Sequence, residues 1–108
     1  MRKILLDLNE ILGEKILSGL LNRKPEALKK FLENPDKIPT SVEDKLNLIN
    51  AIVRNLRGSY NYHDIRQWFS RERSQLNGKS PVDIMKKNWW PRDHRVLEVL
   101  ALSSKAGE

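Results

Sequence analysis

The chain has 108 residues, with 20 Lys and Arg against 14 Asp and Glu, a formal net charge of +6, and no cysteine. That length holds one domain, or two small helical parts sharing a core, and excludes two independent domains; the missing thiols exclude disulfides and thiolate metal sites and agree with a reducing compartment. A 39% apolar content beside 31% charged residues fits a folded globule and excludes a disordered chain. No run of about 18 apolar residues is present to span a membrane. Asp7 and Glu10 interrupt the N-terminal segment that superficially resembles an export signal, so a cytoplasmic location is expected.

The net charge invites a nucleic-acid reading, but its distribution weakens it: residues 1–60 carry 11 basic against 8 acidic side chains and residues 61–108 carry 9 against 6, so neither half is a basic arm. In chain order, Ile4, Leu5, Leu8, Ile11 and Leu12 mark one face of an amphipathic helix that Gly13 loosens or ends. Ile16, Leu17, Leu20 and Leu21 repeat the spacing in a second helix that stops near Asn22. Asn22, Arg23, Lys24 and Pro25 form a turn into a third helix, with Pro25 at its start, Glu26 in its first turn, and Leu28, Phe31 and Leu32 as the buried face. Helix, short turn and helix is the layout of a helix-turn-helix. It leaves Arg23, Lys24, Glu26, Ala27, Lys29 and Lys30 outside, with Arg23, Lys24, Lys29 and Lys30 as the candidate DNA contacts. The third helix offers no Asn or Gln to read adenine, and Glu26 and Glu33 repel phosphates, so a merely solvated lysine face is the competing reading.

Residues 33–40, with Pro35 and Pro39, are expected to form an extended loop. Ser41 is expected to cap a long helix whose stripe is Leu46, Ile49, Ile52, Val53 and Leu56, closed by Arg57 and Gly58; it bridges the two halves of the chain. Asn61 caps a short helix over residues 62–70 carrying Ile65, Trp68 and Phe69. A break at Asn77 and Gly78 follows. Ser80, Pro81 and Asp83 then specify a helix start through a side-chain cap, a proline where no amide is needed, and a carboxylate at the positive end of the dipole, predicting a helix over residues 81–87. Trp89 and Trp90 are consecutive, so they point in different directions and at least one is partly exposed. A partner anchor and a plug between short helices are the two readings of that pair. Pro91 is expected to restart the chain as a last helix that buries Val96, Leu97 and Leu100 and leaves Arg92, Arg95 and Glu98 outside. Residues 103–108 contain no apolar side chain except Ala106 and are expected to form a free tail, so that truncation after Leu102 spares the fold.

No catalytic constellation assembles from these residues. His63 and His94 lack metal or triad spacing, and the 5 glycines are scattered, with no phosphate-cradling loop. No enzyme activity, metal or cofactor is expected.

The ordered series over residues 65–102 does carry a resemblance. Trp68 and Phe69, then Leu76, Asn77, Gly78, Lys79, Ser80 and Pro81, then Ile84 and Met85, and a closing helix with Arg95, Val96 and Leu97, are similar to the C-terminal toxin-binding domain of the Xre/MbcA/ParS antitoxin family. The resemblance implies an all-α fold of about six or seven short helices in one compact bundle. It divides into a helix-turn-helix-like, Xre-like part with the bridging helix over residues 1–58 and the toxin-binding part over residues 59–108. It further implies an antitoxin of a type II toxin–antitoxin system, whose partner is a cognate toxin, commonly a RES-domain enzyme that depletes NAD, covered at its active-site entrance by the antitoxin's C-terminal region. The residues assigned to that contact are Trp89, Trp90, Arg92, Arg95, Glu98, Ser103, Ser104 and Lys105. The alternative is a DNA-binding regulator acting through residues 13–33; the two coexist where an antitoxin represses its own operon, and homodimerisation stays open.

Overall fold

A computed structural model describes residues 1–107, and over them the protein is all-α. Seven α-helices follow one another: α1 (Arg2–Leu12), α2 (Glu14–Leu21), α3 (Pro25–Glu33), α4 (Thr40–Arg57), α5 (Tyr62–Ser70), α6 (Pro81–Ile84) and α7 (His94–Ala106). The first boundary is set by Gly13, which serves both as the last residue beyond α1 and the first before α2. Its φ of 85° with ψ of 157° is a conformation that a side chain at Cα resists, so the sharp turn between the helices needs glycine there. Asn22 ends α2 in the left-handed region, where its amide donates to the Gly19 carbonyl.

α4 is the longest element and carries the expected stripe. Leu46, Ile49, Ile52, Val53 and Leu56 are all buried, and α1, α2, α5 and α7 all pack on it. Each fully buried aliphatic side chain contributes about 1.5–3 kcal/mol of transfer free energy, so this one helix supplies the hydrophobic contact that joins both halves of the chain. One apolar cluster runs from Leu5 to Val99 with no division at residue 58. The Cα radius of gyration, 13.1 Å, is that of a single globule of this length.

Local details differ from the expectation at four places. The segment after α3 is not extended: Pro35–Lys37 is a turn of 3-10 helix, with Ile38 buried beyond it. The reason is that the Asn34 carbonyl is free to accept from the Lys37 amide, and closing that turn delivers Ile38 to the core. Ser41 does not cap α4; the helix starts two residues earlier than that cap implies, Pro39 occupies the cap position, and its carbonyl accepts from the amides of Val42 and Glu43 while Ser41 lies exposed in the first turn. Asn61 does cap α5, accepting from the Asp64 amide at 2.8 Å. Trp68 and Phe69 pack edge to face inside the core, with centroids 5.4 Å apart. α6 has the expected reciprocal cap at Ser80, whose hydroxyl accepts from the Asp83 amide while the Asp83 carboxylate accepts from the Ser80 amide and hydroxyl. It ends at Ile84 and does not reach residue 87, because Met85 turns into the core and Lys87 takes a φ of 48° to redirect the chain.

The last helix carries the largest correction. Pro91 does not start it; Asp93 does, accepting from the Arg95 amide at 2.9 Å. Its buried face is Val96, Val99 and Ser103, whereas Leu97 is 45% exposed and Leu100 half-buried. Apolar side chains lie on nearly every side of α7, so their spacing does not choose a face; the buried polar group does. The Ser103 hydroxyl donates to the Leu100 carbonyl at 2.6 Å and accepts from Asn55 Nδ2 of α4 at 3.0 Å. Gly107 then lies so close to α4 that a Cβ there would overlap the Asn55 carbonyl, and its own carbonyl accepts from the Ser59 hydroxyl. Residues 103–107 of the segment expected as a free tail are therefore docked, Glu108 lying outside the described residues, and Ser103, assigned to a partner contact, is fully buried.

Two stability predictions follow from these contacts. Ser80→Ala should cost about 1 kcal/mol in urea unfolding through the lost cap. Hydrogen bonds from the Ser80 backbone and side chain hold the Asp83 carboxyl below its ordinary value. That contribution is complete above the unfolded aspartate value of about 4 and is lost as pH falls through the lower folded value. Truncation after Leu102 should lower the unfolding midpoint, because the side chain of Asn55 loses its buried partner, at a cost of about 1–3 kcal/mol; an unchanged midpoint would mean that the last turn is not docked.

Candidate functional site

The two consecutive tryptophans diverge as expected. Trp89 is 3% exposed and Trp90 is 64% exposed. Trp89 is held by its indole, whose Nε1 donates to the Leu20 carbonyl at 2.6 Å. Leu20 lies in the last turn of α2, where carbonyls have no partner within the helix, so the indole satisfies an acceptor that would otherwise be buried and unpaired. The plug reading thus describes Trp89, and Trp90 is the residue turned to solvent. Lys87 in the left-handed region, and the Trp89 amide donating back to the Lys87 carbonyl at 2.8 Å, make the bend that separates the two rings.

Around Trp90 the chain builds a concave surface from three distant segments. On one side lies a cleft of about 430 Å³ lined by Asn22 and Arg23 from the turn before α3, Ser41 and Lys45 from the start of α4, and Asn88 and Trp89. On the other side Trp90, Pro91 and Arg92 face Asp44 and Asn47 of α4 across a shallower groove of about 560 Å³. The Lys45 ammonium sits 5.4 Å from the centre of the Trp89 ring, and the Arg23 guanidinium 6.0 Å from that of Phe31. Burial pushes the Lys45 ammonium below its ordinary value, and the charge of Arg23 pushes in the same direction.

The residues assigned from sequence fall into different places. Trp90 and Arg92 share the groove; Arg92 is exposed. Arg95 folds back on the carboxylate of Asp93, 3.4 Å away, and Glu98 contacts the His94 ring at 2.9 Å. The backbone amide and side chain of Arg95 hold the Asp93 carboxyl below its ordinary value. Ser104 and Lys105 are exposed in the last turn of α7. Ten residues of helix at 1.5 Å each put Lys105 roughly 15 Å from Arg95, so the assigned set does not form one patch. Of the residues assigned to DNA, Arg23, Lys24, Lys29 and Lys30 are all exposed, whereas Ala27, also expected outside, is half-buried. Arg23 belongs to the cleft beside Trp90. Lys45, Asp44 and Asn88 were not singled out from sequence; nothing local marks them, since only the fold brings residues 22–23, 41–45 and 88–92 together.

No helix among the described residues is long and apolar enough to cross a membrane. No family model matches the chain, and neither a curated protein nor a solved structure matches it.

The contrast between the two indoles is testable. Trp89→Phe keeps most of the ring but strands the Leu20 carbonyl, and should cost about 1–3 kcal/mol. Trp90→Ala should stay within about 0.5 kcal/mol of wild type, as exposed positions do. Equal losses in chemical denaturation would mean that Trp90 is a structural residue as well.

Proposed function

We propose that the protein is an antitoxin of the Xre/MbcA/ParS type, which neutralises a cognate toxin by direct binding, the toxin being of the RES-domain, NAD-depleting class that the resemblance implies. The observation that carries this reading is Trp90. Its indole is 64% exposed at the rim shared by two concave surfaces. Tryptophan beside arginine is the composition that concentrates binding energy at protein interfaces. The ordered series that carries the resemblance supports the same reading: the Trp68–Phe69 pair lies in α5, and the break at Asn77 and Gly78 leads into the capped start of α6. The contact is assigned to Trp90, Pro91 and Arg92, with Arg95 at its border; the last turn of α7, being docked on α4, is not a reaching tail.

A second reading, a DNA-binding regulator acting through α2, the turn and α3, is favoured by the exposure of Arg23, Lys24, Lys29 and Lys30. It is compatible with the first in an antitoxin that represses its own operon. DNA binding that falls steeply with salt, with no protein partner found, would favour the regulator alone.

The experiment is co-expression with the product of the neighbouring gene, shown first to arrest growth on its own, and it is read as growth rescue and as co-purification. Wild type should rescue growth. Trp90→Ala combined with Arg92→Glu should weaken the complex about 30-fold or more, the loss expected from an interface hot spot, without lowering the unfolding midpoint. Full rescue by that variant would move the interface elsewhere, and no rescue by wild type would remove the antitoxin reading.

A further inference from the structure

The cleft beside Trp90 holds two cations and no anion. Its lining includes Arg23 and Lys45 but no carboxylate. The ion pairs among the described residues are Lys86 with Asp83, His94 with Glu98 and Arg95 with Asp93, so neither cation of the cleft has an ion-pair partner among them. Phe31 and Trp89 hold the two cations over their ring faces, which positions them without satisfying their N–H donors. Like charges converging in a partly buried cleft oppose each other and resist desolvation, and such an arrangement is a mark of a binding site. The remaining polar lining, Asn22, Ser41 and Asn88, offers both donors and acceptors.

We propose that this cleft receives the carboxylate of an Asp or Glu side chain from a partner protein, with an adjacent apolar residue of that partner covering Trp90. A carboxylate between Arg23 and Lys45 relieves their repulsion and takes up their free donors. An apolar neighbour one or two residues along its chain then meets the exposed indole at the rim. A nucleic-acid strand fits less well. The surface continues from Trp90 to Asp44, a carboxylate with no ion pair of its own. A strand carries a phosphate every 3.4 Å or so along its axis, which would bring negative charge against Asp44, whereas a peptide places a single charge where it is matched. The inference deepens the toxin-binding reading and rests on it for the kind of partner, but its test needs no toxin.

A random dodecapeptide library displayed on phage is panned against the full chain, and the enriched sequences are synthesised and titrated by fluorescence anisotropy. The expected result is enrichment of Asp or Glu next to an aromatic or aliphatic residue. Affinity should fall about 30-fold or more when the acid in the peptide is changed to its amide, the loss expected when one member of a desolvated charge pair is removed. Lys45→Met and Arg23→Gln should reproduce the loss; because the peptide change leaves the protein untouched, the result does not depend on how those variants fold. Enrichment of acid-free peptides, absence of enrichment, or affinity indifferent to the acid overturns the proposal. Binding of a 20-nucleotide single strand or duplex that is lost in the same two variants, with no acidic peptide selected, overturns it in favour of phosphate. Failure of the cleft with toxin rescue intact leaves the antitoxin reading standing on another surface. Acidic peptide binding with no toxin rescue supports the cleft and removes the antitoxin reading.

Discussion

The carbonyls at the ends of the first two helices are satisfied by side chains from the second half of the chain, and the rest of the structure depends on that exchange. The last carbonyls of a helix have no partner inside it, and a short helix has many such groups for its length. In α1 the Glu10 and Ile11 carbonyls accept from the guanidinium of Arg66, at 3.0 Å and 2.7 Å. In α2 the Leu20 carbonyl accepts from the indole of Trp89. A charged donor at the negative end of the α1 dipole adds to the bond itself. Neither helix is long enough to be stable alone in water, so each is completed by α5 or by the segment after α6. This interleaving, together with the shared apolar cluster, makes residues 1–58 and 59–107 one unit.

The pairing of α4 with α7 applies the same logic to the C-terminus. Hydrophobic contact alone would let α7 rotate, since Leu97, Leu100 and Leu102 could each replace a neighbour in the interface. The Ser103 hydroxyl removes that freedom: its bond to the Leu100 carbonyl lies within α7 and survives any rotation, but only one rotation presents the hydroxyl to the Asn55 amide. Gly107 fixes the axial position as well: its missing side chain lets the backbone of α7's end approach Asn55 in a way no other residue permits. A serine and a glycine, read from sequence as parts of a free end, are the residues that lock the last helix.

What was legible in the sequence was local. The apolar faces of α1 to α5 follow from spacing along each helix, and the caps at Asn61 and Ser80 follow from residues within three positions of one another. The errors share a different cause. The start of α4 at Thr40, the turn over Pro35–Lys37 and the early end of α6 each trade one local preference for another, decided by where Ile38 and Met85 must be buried. The face of α7 was misread because its pattern is apolar all round and its partner, Asn55, lies 48 residues away. Of the concave surface around Trp90, the sequence marks Trp89, Trp90, Arg92 and Arg23 but divides them between two partners. Lys45 and Asp44 look like ordinary solvent positions of an amphipathic helix, and Arg23 looks like part of a basic turn; only the Trp89 anchor, by pulling residues 88–92 onto α2, brings them beside the exposed indole.

That anchor also ties together the two binding readings, which sequence had kept apart. Arg23 was assigned to DNA and Trp90 to a protein partner, yet both line the same cleft of about 430 Å³. A phosphate held by Arg23 and an acidic side chain held between Arg23 and Lys45 would draw on the same donors, so the two occupants could not be bound there together. Lys24, Lys29 and Lys30 do not line the cleft and remain available to DNA in either case. Linkage is reciprocal: if both readings hold, a protein partner seated in the cleft weakens DNA binding by the factor that DNA weakens the partner. The size of that factor is set by the single contact that the two share, at Arg23, and not by the whole basic face of α3.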